Sequence, residues 1–131
     1  MENCGKLLLR LAVGGLMLFH GYHKLAHGFG MIGDMLVKNH LPRELMWGVI
    51  AGEVVAPLLL IAGWMTRPAA ALVAITMGMS IYLVFRDSLL VLNEYGALTY
   101  ELNLIYLLGA LAILLLGAGS FSISKGQGRF D

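Results

Sequence analysis

The stretch LMWGVIAGEVVAPLLLIAGWM, Leu45 to Met65, decides how this chain folds. It carries a single charged residue, Glu53, inside an otherwise apolar run. About 20 residues at 1.5 Å each cross a hydrocarbon core about 30 Å thick, so the run is long enough to span a bilayer as a helix. A carboxylate at that depth costs about 2.5–3.5 kcal/mol even on the translocon scale. Such a group turns to the bundle interior, finds a partner or stays protonated, and marks the working part of the protein. The chemistry of the chain therefore turns on what surrounds Glu53.

Composition agrees with a bilayer setting. The chain has 131 residues, 59% hydrophobic and 13% charged, with a mean hydropathy of +0.80. Soluble domains carry about 25% charged residues. A net charge of +1, with no basic run, excludes nucleic acid as a partner. The length fits one domain over residues 1–131. The only cysteine, Cys4, permits no intrachain disulfide and no CxxC pair.

Three more runs are long enough to span: Leu7–His27, Pro68–Phe85 and Leu98–Ala118. The expected fold is all-α, an integral membrane four-helix bundle, because backbone groups in lipid must pair within their own segment. Leu7–Phe19 resembles a signal-peptide core, but Arg10 interrupts it and no A-x-A-like site follows, so a retained helix is expected. Thr66-Arg67-Pro68 reads as a tight turn, with Thr66 the N-cap and Pro68 near the first helical position. Between the first two spans, Phe29, Ile32, Met35 and Leu36 recur at helical spacing before Pro42, which predicts a short interfacial helix. The tail after Gly119 is expected to fray. Gly14, Gly15, Gly109 and Ala110 are the small residues expected to let helices approach.

Even crossings put both termini on one face. Lys6, Arg10, Arg67, Lys125 and Arg129 lie there, against Lys24, Lys38, Arg43 and Arg86 opposite, which favours cytoplasmic termini. Helical rise places His20 about 10 Å and Glu53 about 12 Å below the same interface, so the two are expected to meet, directly or through one water. Glu101 and Asn103 enter about 4–8 Å deep on that side, joined by His23, Lys24 and Arg86. Arg10 and Arg67 are expected to snorkel to headgroups in the other half. Pro57 has no N–H for the Glu53 carbonyl four residues earlier, which predicts a kink and a free acceptor beside the carboxyl.

His20, His23 and His27 share one face, but Lys24 among them repels cations, so no metal is expected. A purely structural ion pair at Glu53 is the competing reading. The candidate binding set is His20, Lys24, Glu53, Arg86, Glu101 and Asn103, with Glu53 the best catalytic candidate. Gly21, Pro57, Thr66, Arg67 and Pro68 are assigned structural roles.

The chain resembles the DoxX family of small four-helix membrane proteins. The resemblance is carried by Leu9-Arg10-Leu11, His20-Gly21 with Lys24, Leu41-Pro42 and Glu53. It continues through Ala62-Gly63-Trp64-Met65-Thr66-Arg67-Pro68-Ala69-Ala70, Met77, Glu101 and Gly117-x-Gly119-Ser120-Phe121-Ser122-Ile123. Where the family's ending commonly has a proline between its glycines and an aspartate after them, this chain has Ala118 and Ser124, a difference expected to alter the tail's turn. The resemblance implies redox-associated roles in a bacterial inner membrane, among them partnership with a thiosulfate-oxidising, quinone-reducing complex and links to oxidative or thiol stress. More distant relatives look like escorts for other membrane proteins. The leading expectation is an accessory or quinone-facing subunit of a membrane redox system. No site for haem, flavin or an iron–sulfur cluster is evident, and quinone is the one cofactor the pocket chemistry suggests. Expected partners are membrane lipid and a membrane or membrane-associated protein, with a homo-oligomer left open. An assembly or escort protein is the alternative. A small transporter comes third, since it would need a larger moving scaffold.

Overall fold

The computed structural model describes all 131 residues, Met1–Asp131, and is all-helical apart from one isolated bridge between Leu92 and Leu98. Helix α1 spans Glu2–His27, starting ahead of the expected Leu7. Glu2 and Lys6 pair at 2.7 Å one turn apart and carry the helix outward. Gly28 alone separates α1 from α2, Phe29–Lys38. Asn39 closes α2 by donating Nδ2–H to the Met35 carbonyl at 2.9 Å.

The deciding stretch forms one rod, Leu45–Ala62. Its parts are α3 (Leu45–Ile50), a π-helical stretch (Ala51–Val55) and α4 (Ala56–Ala62). The rod ends earlier than Met65 because Gly63 turns left-handed at φ +69°. Gly63 N–H then reaches Leu60 O and Trp64 N–H reaches Leu59 O, which satisfies the last carbonyls. Helix α5 is Thr66–Phe85, a short 3₁₀ turn covers Arg86–Ser88, and α6 is Glu101–Leu116.

Three helices are long and apolar enough to cross a membrane: Glu2–His27, Leu45–Ala62 and Thr66–Ser88. Helix α6 has 16 residues, about 24 Å, and packs along α5. The core joins Met17 of α1, Ala56 and Leu60 of α4, Ala70, Val73 and Met77 of α5, and Tyr106, Ala110 and Ile113 of α6. Large apolar side chains such as Leu16, Phe19, Ile75, Leu108 and Leu115 face outward, the all-round apolarity of lipid-exposed helices. Gly14 lets α1 approach the Pro57 carbonyl, where a Cβ would stand 2.9 Å away. Gly109 admits Val13 in the same manner. Gly15 has nothing within 4 Å and plays no part in packing, contrary to expectation.

Arg10 corrects the sequence reading most sharply. It does not snorkel but is 1% exposed. Its Nε donates to Leu60 O at 2.8 Å and Nη2 to Ile61 O at 3.1 Å, both at the carbonyl end of α4. Its Nη1 donates to Ala118 O at 2.6 Å and Phe121 O at 2.9 Å in the tail. A cation at a helix C-terminus answers the partial negative charge of the unpaired carbonyls. Gly63 must be glycine here twice over, for its positive φ and because a Cβ would collide with the Arg10 guanidinium.

The tail is accordingly docked, not frayed. Ser124 Oγ–H donates to Gly63 O at 3.0 Å, and Ile123 N–H reaches Ala62 O at 3.1 Å. Arg67 N–H donates to Phe130 O at 3.0 Å and Thr66 N–H to Asp131 Oδ1 at 3.3 Å, so the tail serves the open N-terminus of α5. Thr66 is therefore not the N-cap. Met65 holds that place at φ +49°, and Thr66 Oγ1 is buried without a partner. Pro68 sits in the first turn, where no N–H is required. Unlike Arg10, Arg67 stays exposed.

Candidate functional site

Pro57 shapes the backbone under Glu53. With no N–H four residues ahead, the α-ladder steps to the wider π register, and Ala56 N–H reaches Ala51 O. The rod absorbs the missing bond as a π-bulge centred on Glu53. Such bulges cluster at functional sites because they re-aim a side chain.

Two glycines clamp the bulge. A Cβ on Gly21 of α1 would collide with the Glu53 carbonyl, and a Cβ on Gly52 would collide with Thr76 Oγ1 of α5. The π stretch thus lies tight between α1 and α5, and Glu53 is 1% exposed. Its Oε1 accepts a hydrogen bond from Lys24 Nζ at 2.6 Å, a charge-assisted pair. The Lys24 side chain is 29% exposed, so one partner is shut in and the other reaches the surface.

The direct partner of Glu53 is Lys24, where His20 was expected. His20 lies half-buried within electrostatic range of Lys24 and Glu53 and makes no hydrogen bond. The physical reason is the helix face. Arg10, Val13, Gly14, Met17 and Gly21 are the buried residues of α1, and Lys24 continues their stripe three residues on. His20 sits at the edge of that stripe. The long lysine stem then brings Nζ back down to the carboxylate.

Asn103 joins the site indirectly. Its Nδ2–H donates to Ser80 Oγ at 3.0 Å, and Ser80 lines the same cavity as Glu53. Arg86 and Glu101 are not brought to the pair. Arg86 lies 5.8 Å above the Tyr82 ring and 3.8 Å from Asp87, and Glu101 is exposed in the first turn of α6. The His23 and His27 rings stack at 4.9 Å, and no cluster able to hold a metal forms.

The cavity beside Glu53 has a volume of about 30 Å³. Lys24, Glu53, Thr76 and Ser80 give it polar walls, and Ile32, Met35 and Leu36 of α2 cover it. Thr76, Ser80 and Gly52 went unnoticed in the sequence. Thr76 and Ser80 sit one turn apart on α5, a signal visible once the facing helix is known. On the outward side of the bulge, Leu18, Phe19, Tyr22, Leu25 and Val54 line a shallow apolar groove of about 330 Å³.

Comparison with known proteins gives one match. The family model described as DoxX covers residues 5–86, from α1 through α5, and includes His20, Gly21, Lys24, Glu53 and Pro57. It stops short of α6 and the docked tail. Neither the curated proteins nor the solved structures contain a match.

Proposed function

We infer function from the premise that this chain belongs to the DoxX family, and we propose that it is an accessory subunit of a membrane redox system whose Lys24–Glu53 pair holds and releases a proton. The redox setting comes from the family resemblance. The proton role is supported by one observation, a sealed carboxylate joined at 2.6 Å to a lysine that reaches the surface. Moving one proton between Nζ and Oε1 turns an ammonium–carboxylate pair into a neutral amine–acid pair, and only the exposed lysine exchanges it outward. A buried ion pair is weak evidence of a stabilising role, since well-packed apolar residues often replace one at no loss of stability.

A quinone headgroup does not fit the cavity. Binding pockets for such ligands run from about 300 to 1,000 Å³, against about 30 Å³ beside Glu53. The outward groove is large enough for an isoprenoid or acyl chain but has no polar group for a headgroup. The quinone-facing part of the proposal is therefore confined to contact along that groove, and no step is assigned to a quinone at Glu53.

Four crossings complete the proposal, with α6 as the fourth span, α2 in the interface and both termini in the cytoplasm of a bacterial inner membrane. Reporter fusions at Asp34 and Gly126 should then report opposite compartments, and finding them together would overturn the topology. The escort alternative draws on the same groove, which would take side chains of a client helix. Affinity purification in mild detergent separates the two. A redox subunit brings down oxidoreductase components whose activity falls with Glu53→Gln while the complex stays intact. An escort brings down a client stoichiometrically, with no quinone, and retains it only with the groove intact.

A further inference from the structure

The Glu53 carboxylate has two oxygens, and the protein uses one. Oε1 takes the Lys24 ammonium, and no other protein donor reaches the group. Around the cavity that Glu53 lines, each polar wall has capacity left over. Thr76 Oγ donates to Leu72 O at 2.8 Å, which leaves its lone pairs free to accept. Ser80 Oγ accepts from Asn103 Nδ2–H at 3.0 Å, which leaves its own proton free to donate. Lys24 Nζ keeps two more protons beyond the one on Glu53. A buried water needs about 10–15 Å³ and two to four polar partners, and the cavity offers about 30 Å³ and four groups.

We propose that this cavity is a binding site for a single water, which joins the Lys24–Glu53 pair to Ser80 and, through it, to Asn103. The water accepts from Lys24 Nζ–H or Ser80 Oγ–H and donates to Glu53 Oε2 and Thr76 Oγ. α1, the π stretch, α5 and α6 then share one polar connection, and Asn103 is a positioning residue acting through Ser80. The use of this connection to carry protons rests on the reading of Glu53 as a proton carrier, whereas its occupancy by water does not.

The test is water-edited solid-state NMR on the protein in lipid bilayers, following magnetisation from water protons to the Glu53 carboxyl carbon, assigned by its loss in Glu53→Gln. Early transfer to that carbon and to Thr76 Cβ, against none to Leu60 in the dry core, is the expected result. Thr76→Val combined with Ser80→Ala should slow the transfer to Glu53 to the level that the exchanging Lys24 protons alone supply, and abolish it at residue 76, while the Lys24–Glu53 contact persists. Should the pair of changes prevent folding, the isosteric Thr76→Val alone should still weaken the transfer. A Glu53 carbon as dry as Leu60, or transfer indifferent to both hydroxyls, overturns the proposal. Complementation by Glu53→Gln bears on the proton-carrier reading alone, so the two fail separately.

Discussion

Arg10 and Lys24 stand on one stripe of one helix, about 21 Å apart along α1, and the fold uses them in opposite ways. Every acceptor of Arg10 is a backbone carbonyl, two on α4 and two in the tail. A guanidinium does not deprotonate in proteins, and a carbonyl has no proton to exchange, so that end is stitched shut. Lys24 meets a carboxylate beside a small polar cavity and keeps one side at the surface. The two cations thus differ in meaning because of what accepts from them. Carbonyl acceptors make structure, and an ionisable acceptor beside free space makes a site.

The largest effect is expected at the stitched end. Arg10→Met leaves carbonyls without their charged donor at about 1–3 kcal/mol each, so a loss of about 3 kcal/mol or more is predicted. Thermal melts in bicelles should show it, together with tryptic cleavage at Lys125 as the tail lifts. Arg10→Lys should recover only part, since one ammonium cannot fork to acceptors on two sides. Lys24→Met comes next. A fully buried pair broken on one side costs about 3–5 kcal/mol, and the partial exposure of Lys24 reduces this to about 1–3 kcal/mol. Adding Glu53→Leu to Lys24→Met should return the melt close to that of the parent. If Lys24→Met proves as damaging as Arg10→Met and the double change rescues nothing, the contrast between the two ends collapses.

Glycine exchanges sharpen the comparison with smaller effects. Gly21→Ala drives a methyl into the Glu53 carbonyl, and such overpacking costs about 1–3 kcal/mol. The same exchange should lengthen the Lys24–Glu53 contact, measurable as a weakened NMR dipolar coupling between the two side chains. Gly15→Ala, six residues away in open space, should be neutral or stabilising by up to about 1 kcal/mol. Equal losses at both positions would mean that the close approach of α1 to the bulge is not what holds the pair.

Much of this was legible in the sequence. Length and apolarity placed the long helices, Phe29 to Leu36 announced α2, and Glu53 with Pro57 marked the place where the backbone departs from the α-ladder. Depth arithmetic then put the right groups at one level but chose His20, because rise along an axis carries no information about rotation around it. The stripe through Val13, Gly14, Met17 and Gly21 would have selected Lys24 and also turned Arg10 inward. The docked tail was not legible, because its acceptors and donors belong to Arg10, Ala62, Gly63, Thr66 and Arg67, far away in sequence and adjacent only after α1, α4 and α5 have assembled. The same holds for Thr76 and Ser80, ordinary residues of a spanning helix until Glu53 faces them.

Glu53→Gln tests the central claim most directly, because it keeps size and a hydrogen bond to Lys24 while removing the exchangeable carboxyl proton. The variant should insert, purify and melt within about 1 kcal/mol of the parent, as a neutral acceptor retained in place allows, yet fail to complement the redox phenotype of a deletion strain at equal abundance. Full complementation at normal abundance would contradict the assignment of Glu53 as the proton carrier.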